Sequence, residues 1–213
     1  MSLCVVTCGP ASTRIDDVRR ITNFSTGELG ALLVDALLAA GHEVICLQGE
    51  GATFPIAAAA SCESFFSNDD VLRILENISA TREVSHFFHA AALTDFEVSS
   101  VTNLRGEAVD GAKIPSTTPE LHITLRPARK IIPELRRLFP HAQITGWKYE
   151  LTGTPAEVLQ KAHEQIRSCR TDACVLNGAA HGPGFTWTTP DRNLHLPNKQ
   201  ELVKFLAKSI VGE

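Results

Sequence analysis

The residues of this chain best suited to chemistry lie in one run, Ile21-Thr22-Asn23-Phe24-Ser25-Thr26-Gly27-Glu28-Leu29-Gly30. Asn23, Ser25 and Thr26 carry side-chain hydrogen-bonding groups, and Gly27 and Gly30 let backbone and neighbouring elements come close. The run follows an apolar stretch, Leu3–Thr7, and a turn that opens with Gly9-Pro10. It precedes an apolar-periodic stretch, Ala31–Leu38. A polar loop between a buried strand and a helix is where open α/β sheets take phosphorylated ligands, because the free N–H groups and positive dipole end of the helix face it. The spacing is neither GxGxxG nor the Gly-Lys-Ser/Thr ending of a P-loop. Taken alone, the two glycines fit helix–sheet packing equally well.

A second constellation is Phe87-Phe88-His89-Ala90-Ala91-Ala92-Leu93-Thr94-Asp95-Phe96. An apolar strand ends there in three alanines, which open the backbone to a ligand at the carboxyl edge of a sheet. Asp95 follows and could bind a base or ribose, hold a metal through water, or cap a turn. Lys113, in Gly111-Ala112-Lys113-Ile114-Pro115, is the lysine of an irregular segment. It could neutralise phosphate charge, although a lone lysine is more often a solvated surface charge. His86 and His89 are three apart on a predicted strand, point to opposite faces and make a poor metal pair. No HExxH or paired-cysteine pattern occurs, so no protein-built metal site is expected, only Mg2+ carried by a nucleotide. A short-chain reductase would need a tyrosine with lysine four residues later; Gly153 takes that place after Tyr149, the single tyrosine.

The elements that must position these residues alternate. Leu3–Thr7, Glu43–Gln48 and His86–Ala91 read as strands, Gly27–Ala40 and Asp69–Ile78 as helices. Gly41 closes the first helix, and Asn68 or Asp69 caps the second. This pattern predicts right-handed βαβ units and an α/β fold with a mostly parallel sheet flanked by helices. Ser99–Pro119 breaks the pattern with Gly, Pro, Ser and Thr and little periodicity, and a loop of that length is usually functional or disordered. Leu121–Leu125 alternates like a half-exposed strand. Arg129–Phe139 reads as a basic helix, Gln143–Glu150 as a strand, Pro155–Arg167 as a helix and Ala173–Leu176 as a strand. Phe185–Thr188 and Asn193–Leu196 read as a hairpin across Pro190-Asp191, and Asn198–Ile210 as a closing helix capped by Asn198.

At 213 residues the chain is long for one domain but not clearly two, and one domain over 1–213 is expected. A net charge of -4 gives no reason to expect nucleic acid or anionic membrane as a partner. No apolar run approaches the ~20 residues of a membrane helix, and no leader pattern opens the chain, so a cytoplasmic location is expected. The six cysteines include no CxxC pair and are expected to be reduced, mostly small core residues. Cys4 and Cys8 share a strand face, which is a weak redox signal.

Together these segments resemble the phosphopantothenoylcysteine synthetase (phosphopantothenate–cysteine ligase) family of coenzyme A biosynthesis. The likeness spans nearly the whole chain. Its strongest part runs from Thr7-Cys8-Gly9-Pro10 through Asp16-Asp17-Val18-Arg19-Arg20-Ile21-Thr22-Asn23-Phe24-Ser25-Thr26-Gly27. The family reads a similar glycine turn, then Asp-Pro-Val-Arg and Ile/Leu-Ser/Asp-Asn-His/Phe-Ser-Ser-Gly. Ala91-Ala92-Leu93-Thr94-Asp95-Phe96 is similar to Ala-Ala-Val-Ala-Asp-Tyr, and Lys113-Ile114 to the start of Lys-Ile-Lys-Lys.

The resemblance implies a Rossmann-like fold with a flap over 98–120, a homodimer, and a two-step reaction. The carboxylate of 4′-phosphopantothenate attacks the α-phosphate of CTP or ATP and releases pyrophosphate; the acyl-nucleotide then reacts with the amine of cysteine. It implies that Asn23 binds the acyl-phosphate intermediate and that Lys113 offsets triphosphate charge. His89, Ala90, Ala91 and Asp95 would hold the nucleotide, with Arg129, Lys130 and Ile131 at a triphosphate-contacting turn and Trp147 by the base. Gly9, Arg19, Ser25, Thr26, Gly27 and Ala92 would bind substrate. Several family lysines are replaced: Glu28, Pro115, Ser116, Gln165 and Cys169 stand in their places, and Asn177-Gly178 replaces Asn-Asp. The length suggests a ligase acting apart from the usual flavin-dependent decarboxylase. Two alternatives stay open: a catalytically altered relative that binds a nucleotide or phosphorylated metabolite, and an NAD(P)- or flavin-dependent reductase.

Overall fold

The computed structural model describes residues 2–109 and 111–210; Met1, Asp110 within the expected flap, and residues 211–213 lie outside the described residues. The main sheet has eight strands in the order β12-β11-β10-β9-β6-β1-β4-β5. They are β1 (Leu3–Cys8), β4 (Glu43–Gly49), β5 (Ser61–Phe65), β6 (His86–His89), β9 (Gln143–Tyr149), β10 (Ala173–Asn177), β11 (Phe185–Thr188) and β12 (Asn193–Leu196). The run from β5 to β10 is parallel, and β11 and β12 close one edge as an antiparallel hairpin. Two small antiparallel pairs stand apart: β2 (Ser12–Arg14) with β3 (Arg20–Thr22), and β7 (Phe96–Thr102) with β8 (His122–Pro127).

Among the described residues the helices are α1 (Glu28–Ala39), α2 (Asn68–Thr81), α3 (Ile132–Leu138), α4 (Pro155–Cys169) and α5 (Lys199–Ser209). β1 is buried at every position, as a central parallel strand covered on both faces must be. Its alternation feeds two layers. Leu3 and Val5 join Phe87 and Ile144 under α2 and α3. Cys4, Val6 and Cys8 join Phe88 and Val175 under α1 and α5. Val158, Ala162 and Ile166 of α4 pack on Cys174 and Leu176.

The chain leaves β1 through α1 to β4 on one side and returns through α2 to β6 on the other. That reversal of direction opens a crevice above the carboxyl ends of β1 and β6. Thr154 and Glu157 form a capping box at α4, Asn198 caps α5, and Gly41 follows α1 at φ +85°.

Four expectations are corrected. Ser67, not Asn68 or Asp69, caps α2: its hydroxyl accepts from the Asp70 N–H while the Asp70 carboxylate accepts from the Ser67 N–H. The strand expected to end at Ala91 ends at His89. The basic helix is confined to Ile132–Leu138, leaving Arg129 and Lys130 before it. The irregular stretch from Ser99 begins inside a strand, because Phe96–Thr102 pairs with β8 across a bulge between Val98 and Ser100. The short strands β2, β3 and β5, mostly exposed and polar, have no periodic signal.

Candidate functional site

A cavity of about 590 Å³ lies over the carboxyl ends of β1 and β6. Gly9, Asn23, Ser25, Thr26, Gly27 and Ala90 of the expected site residues line it. Gly9 (φ +76°) and Gly27 (φ +77°) hold left-handed backbone, and a Cβ on them would lie 2.9 and 3.0 Å from Ala52 Cβ. Gly30 acts differently: a Cβ there would stand 2.2 Å from Cys8 Cβ. The bare backbone at Gly30 lets the first turn of α1 sit on the end of β1, and α1 begins from Gly27 with no side-chain cap.

Asn23 ties the two loops together. Its Nδ2 donates to the Leu93 carbonyl at 2.8 Å and more weakly to that of Ala92 at 3.4 Å. Ala92 in turn is bound to the loop after β1: its N–H donates to Gly9 O at 2.9 Å, and its carbonyl accepts from Ala11 N at 3.1 Å. Ala91 N–H reaches Thr7 Oγ1 at 3.3 Å, and the same hydroxyl lies 2.8 Å from His89 Nδ1. His89 is 8% exposed, and burial pulls its pKa down to about 4, so the ring is neutral and fixes Thr7. His89, Ala91 and Ala92 therefore shape the cavity floor from behind rather than lining it.

The remaining expected residues lie elsewhere. Asp95 and Lys130 are paired with each other at the start of the segment leading to α3, and Arg129 faces Glu134 at 3.6 Å. Ile131 is 1% exposed and belongs to the core under α2 and α3, so its side chain is unavailable to a nucleotide. Trp147 packs half-buried on the α1/α5 face, with its indole N–H buried and unpaired among the described residues. Arg19 turns away from the cavity: its guanidinium donates to Asp16 Oδ2 at 2.9 Å and to Ile114 O at 3.1 Å.

Lys113 is exposed but its neighbours are fixed. Ile114 N–H donates to Asp16 Oδ2 at 3.1 Å, Asp17 N–H donates to Ala112 O at 3.1 Å, and the Ile114 side chain is buried. Burial pushes the Asp16 carboxyl up, but the N–H groups of Ile114, Val18 and Arg19 and the Arg19 guanidinium outweigh it and hold the pKa below the ordinary carboxylate value. The segment around Lys113 is thus anchored to the loop that precedes Asn23, and Lys113 does not line the cavity. No group of three or more His, Cys, Asp or Glu side chains placed to hold a metal occurs among the described residues. His86 and His89 face opposite layers.

Arg20, Glu28, Asn177 and Lys199 are among the cavity residues that were not expected as site residues. Asn177 ends β10 as the first residue of the Asn-Gly pair noted in the sequence, the signal that marks it. Lys199 pairs with Glu28 across 171 positions, and nothing local marks that contact. All six cysteines are free; Cys4, Cys8, Cys46 and Cys174 are buried, and Cys8 Sγ lies 3.8 Å from Cys46 Sγ.

The sheet, its reversal point and the glycine-turned cavity above it define a Rossmann-like α/β domain with its cleft at the carboxyl edge of the sheet, the place where such folds take ligands. The chain belongs to the DNA/pantothenate metabolism flavoprotein C-terminal domain family, whose model matches residues 2–212. It is similar to the coenzyme A biosynthesis bifunctional protein CoaBC of Thermococcus kodakarensis, 27% identical over 180 residues that cover 81% of this chain and 40% of that protein. The chain therefore spans less than half the length of that relative. Among solved structures, the DNA/pantothenate metabolism flavoprotein from Streptococcus pneumoniae superposes with a TM-score of 0.88 at 23% identity, over 99% of both chains. A Cab2 variant in complex with phosphopantothenate-cysteine superposes with a TM-score of 0.76 at 18% identity, over 99% of this chain and 85% of that one. These two likenesses are of fold; the family membership agrees with the resemblance read from the motifs.

Proposed function

We propose that the chain is a phosphopantothenate–cysteine ligase of coenzyme A biosynthesis, forming an amide bond through an acyl-nucleotide. The observation that carries this reading is the convergence of Asn23, Ser25, Thr26, Gly27 and Ala90 on one cavity at the reversal point of the sheet. The carboxylate of 4′-phosphopantothenate attacks the α-phosphate of CTP or ATP, forming a P–O bond and breaking the one to pyrophosphate. The cysteine amine then attacks the acyl carbon, and the nucleoside monophosphate leaves. Such a transfer needs positioning and stabilisation of developing charge more than a protein nucleophile. Asn23 holds the acyl-phosphate, and the Gly9, Ser25–Gly27 and Ala90 walls orient the acid. Lys113 reaches the triphosphate from the anchored flap. Asp95, Lys130, Arg129 and Trp147 approach the nucleotide from the β6 and β9 ends, with Mg2+ carried by the triphosphate.

The domain works as a homodimer in the cytoplasm, with the β7–β8 hairpin as its interface. That hairpin exposes Phe96, Ile123 and Leu125, an apolar surface on a two-stranded unit that is marginal alone. The test is pyrophosphate release assayed with CTP and with ATP in parallel. Release is expected only when nucleotide, Mg2+ and 4′-phosphopantothenate are all present. Silence with both nucleotides, with thermal stabilisation by either, would establish a binding relative instead. Oxidation of NAD(P)H would establish a reductase.

A further inference from the structure

Three charged side chains line the cavity: Arg20, Glu28 and Lys199. Glu28 opens α1, Lys199 opens α5, and the two form an ion pair. Their side chains are 31% and 40% exposed, and an ion pair this open to solvent contributes little to stability. Its stronger consequence is positional. A lysine ammonium rides on a flexible stem and would otherwise sample many rotamers; the Glu28 carboxylate holds it at the cavity wall. The ammonium has three donors, so a ligand oxygen can share it with Glu28.

The charges also decide which ligand suits this wall. Glu28 alone would repel an anion, and the pairing with Lys199 cancels that charge. Arg20, from β3, then leaves a net positive charge in a cavity that Ser25 and Thr26 also line. Guanidinium, ammonium and hydroxyl donors lining one cavity match a phosphate group.

We infer that Lys199, together with Arg20, holds a phosphate group of the cavity's ligand, and that Glu28 is the positioning residue that keeps the ammonium there. The choice of ligands to test rests on the ligase reading. The phosphate belongs either to the 4′-phosphorylated acid or to the nucleoside triphosphate, and the measurement separates them.

Binding to the intact chain is measured by calorimetry with 4′-phosphopantothenate, pantothenate, CTP, ATP and pyrophosphate. Lys199→Ala is expected to weaken the phosphorylated ligand that uses the site about tenfold and to leave pantothenate unchanged. Loss confined to 4′-phosphopantothenate assigns the monoester phosphate; loss confined to CTP, ATP and pyrophosphate assigns the triphosphate. Lys199→Arg retains binding. Lys199→Glu abolishes it, and adding Glu28→Lys restores it by returning an ammonium to the same wall from α1. A role limited to packing α1 on α5 would move pantothenate together with the phosphorylated ligands. The inference is overturned if Lys199→Ala binds every phosphorylated ligand as tightly as the parent, or if the parent binds none. Failure of the ligase reading is separate: a parent that discriminates phosphate through Lys199 yet releases no pyrophosphate keeps the site and loses the activity.

Discussion

Asn23 binds twice within the protein, to the carbonyls of Leu93 and Ala92, before any ligand is considered. Those bonds fix the carboxamide between the two loops that wall the cavity. Asn23→Asp replaces a donor by a carboxylate facing carbonyl oxygens, which removes the tie and puts negative charge beside the proposed acyl-phosphate. The expected outcome is retained pyrophosphate release with little amide product, so that acyl-nucleotide accumulates and is seen in quenched samples by chromatography. Normal amide formation by this variant would remove the assigned role. His89 gives a second prediction at the same scale. Its pKa is lowered by burial from 6.5 to about 4. Between those values the unfolded chain binds a proton that the native ring refuses, so native stability falls as pH drops through this window and is complete above it. The loss is about 3 kcal/mol at the low end. Denaturant midpoints between pH 4 and 7 should show this slope in the parent and a flatter one in His89→Gln; equal slopes would show that His89 is not the group responsible.

At the scale of elements, the Ala112–Ile114 segment is held by one carboxylate. Asp16 accepts the N–H groups of Val18, Arg19 and Ile114 and pairs with Arg19, whose guanidinium also reaches Ile114 O. Because its folded pKa is depressed, this anchoring is present above the ordinary carboxylate pKa and is lost as pH falls through the depressed value. Asp16→Asn is expected to speed amide exchange in the segment around Ala112, Lys113 and Ile114 at neutral pH while leaving the β1 core unchanged. Mass-spectrometric hydrogen exchange measures both regions at once, and unchanged exchange around Ile114 would mean that the anchor lies elsewhere. This contact also shows what sequence could and could not reveal. β1, α1, β4, β9, α4 and the β11–β12 hairpin are legible because apolar periodicity and caps act over a few residues. Asp16 and Ile114 are 98 positions apart, and Glu28 and Lys199 are 171 apart; such pairs arise only when the sheet brings distant loops to one edge. β7 escaped notice for a different reason. Its Glu97, Ser99 and Ser100 are polar, and the strand it pairs with along its length has every residue exposed.

For the whole molecule, the two small sheets project a surface that the main sheet does not cover. Val98 N–H donates to Thr13 Oγ1 at 3.0 Å, which joins the β7–β8 hairpin to the β2–β3 hairpin. Phe96, Ile123 and Leu125 are exposed on the first, and Val18 and Ile21 on or beside the second. Apolar side chains exposed this way suit the proposed interaction surface. Ile123 and Leu125 are two apart on β8, so they share one face, and that face carries the proposed dimer contact. The same hairpins flank the loop that holds Asn23 and the anchored segment that carries Lys113. Pairing of two chains would therefore stiffen the Lys113 segment as well as cover the patch. Light scattering of the parent should give twice the mass of one chain. Ile123→Glu combined with Leu125→Glu should give the mass of one chain, with faster exchange around Ile114 and a higher KM for the nucleotide. A double variant that stays dimeric would move the interface off this hairpin. One that becomes monomeric with an unchanged flap and KM would keep the interface but separate it from the site.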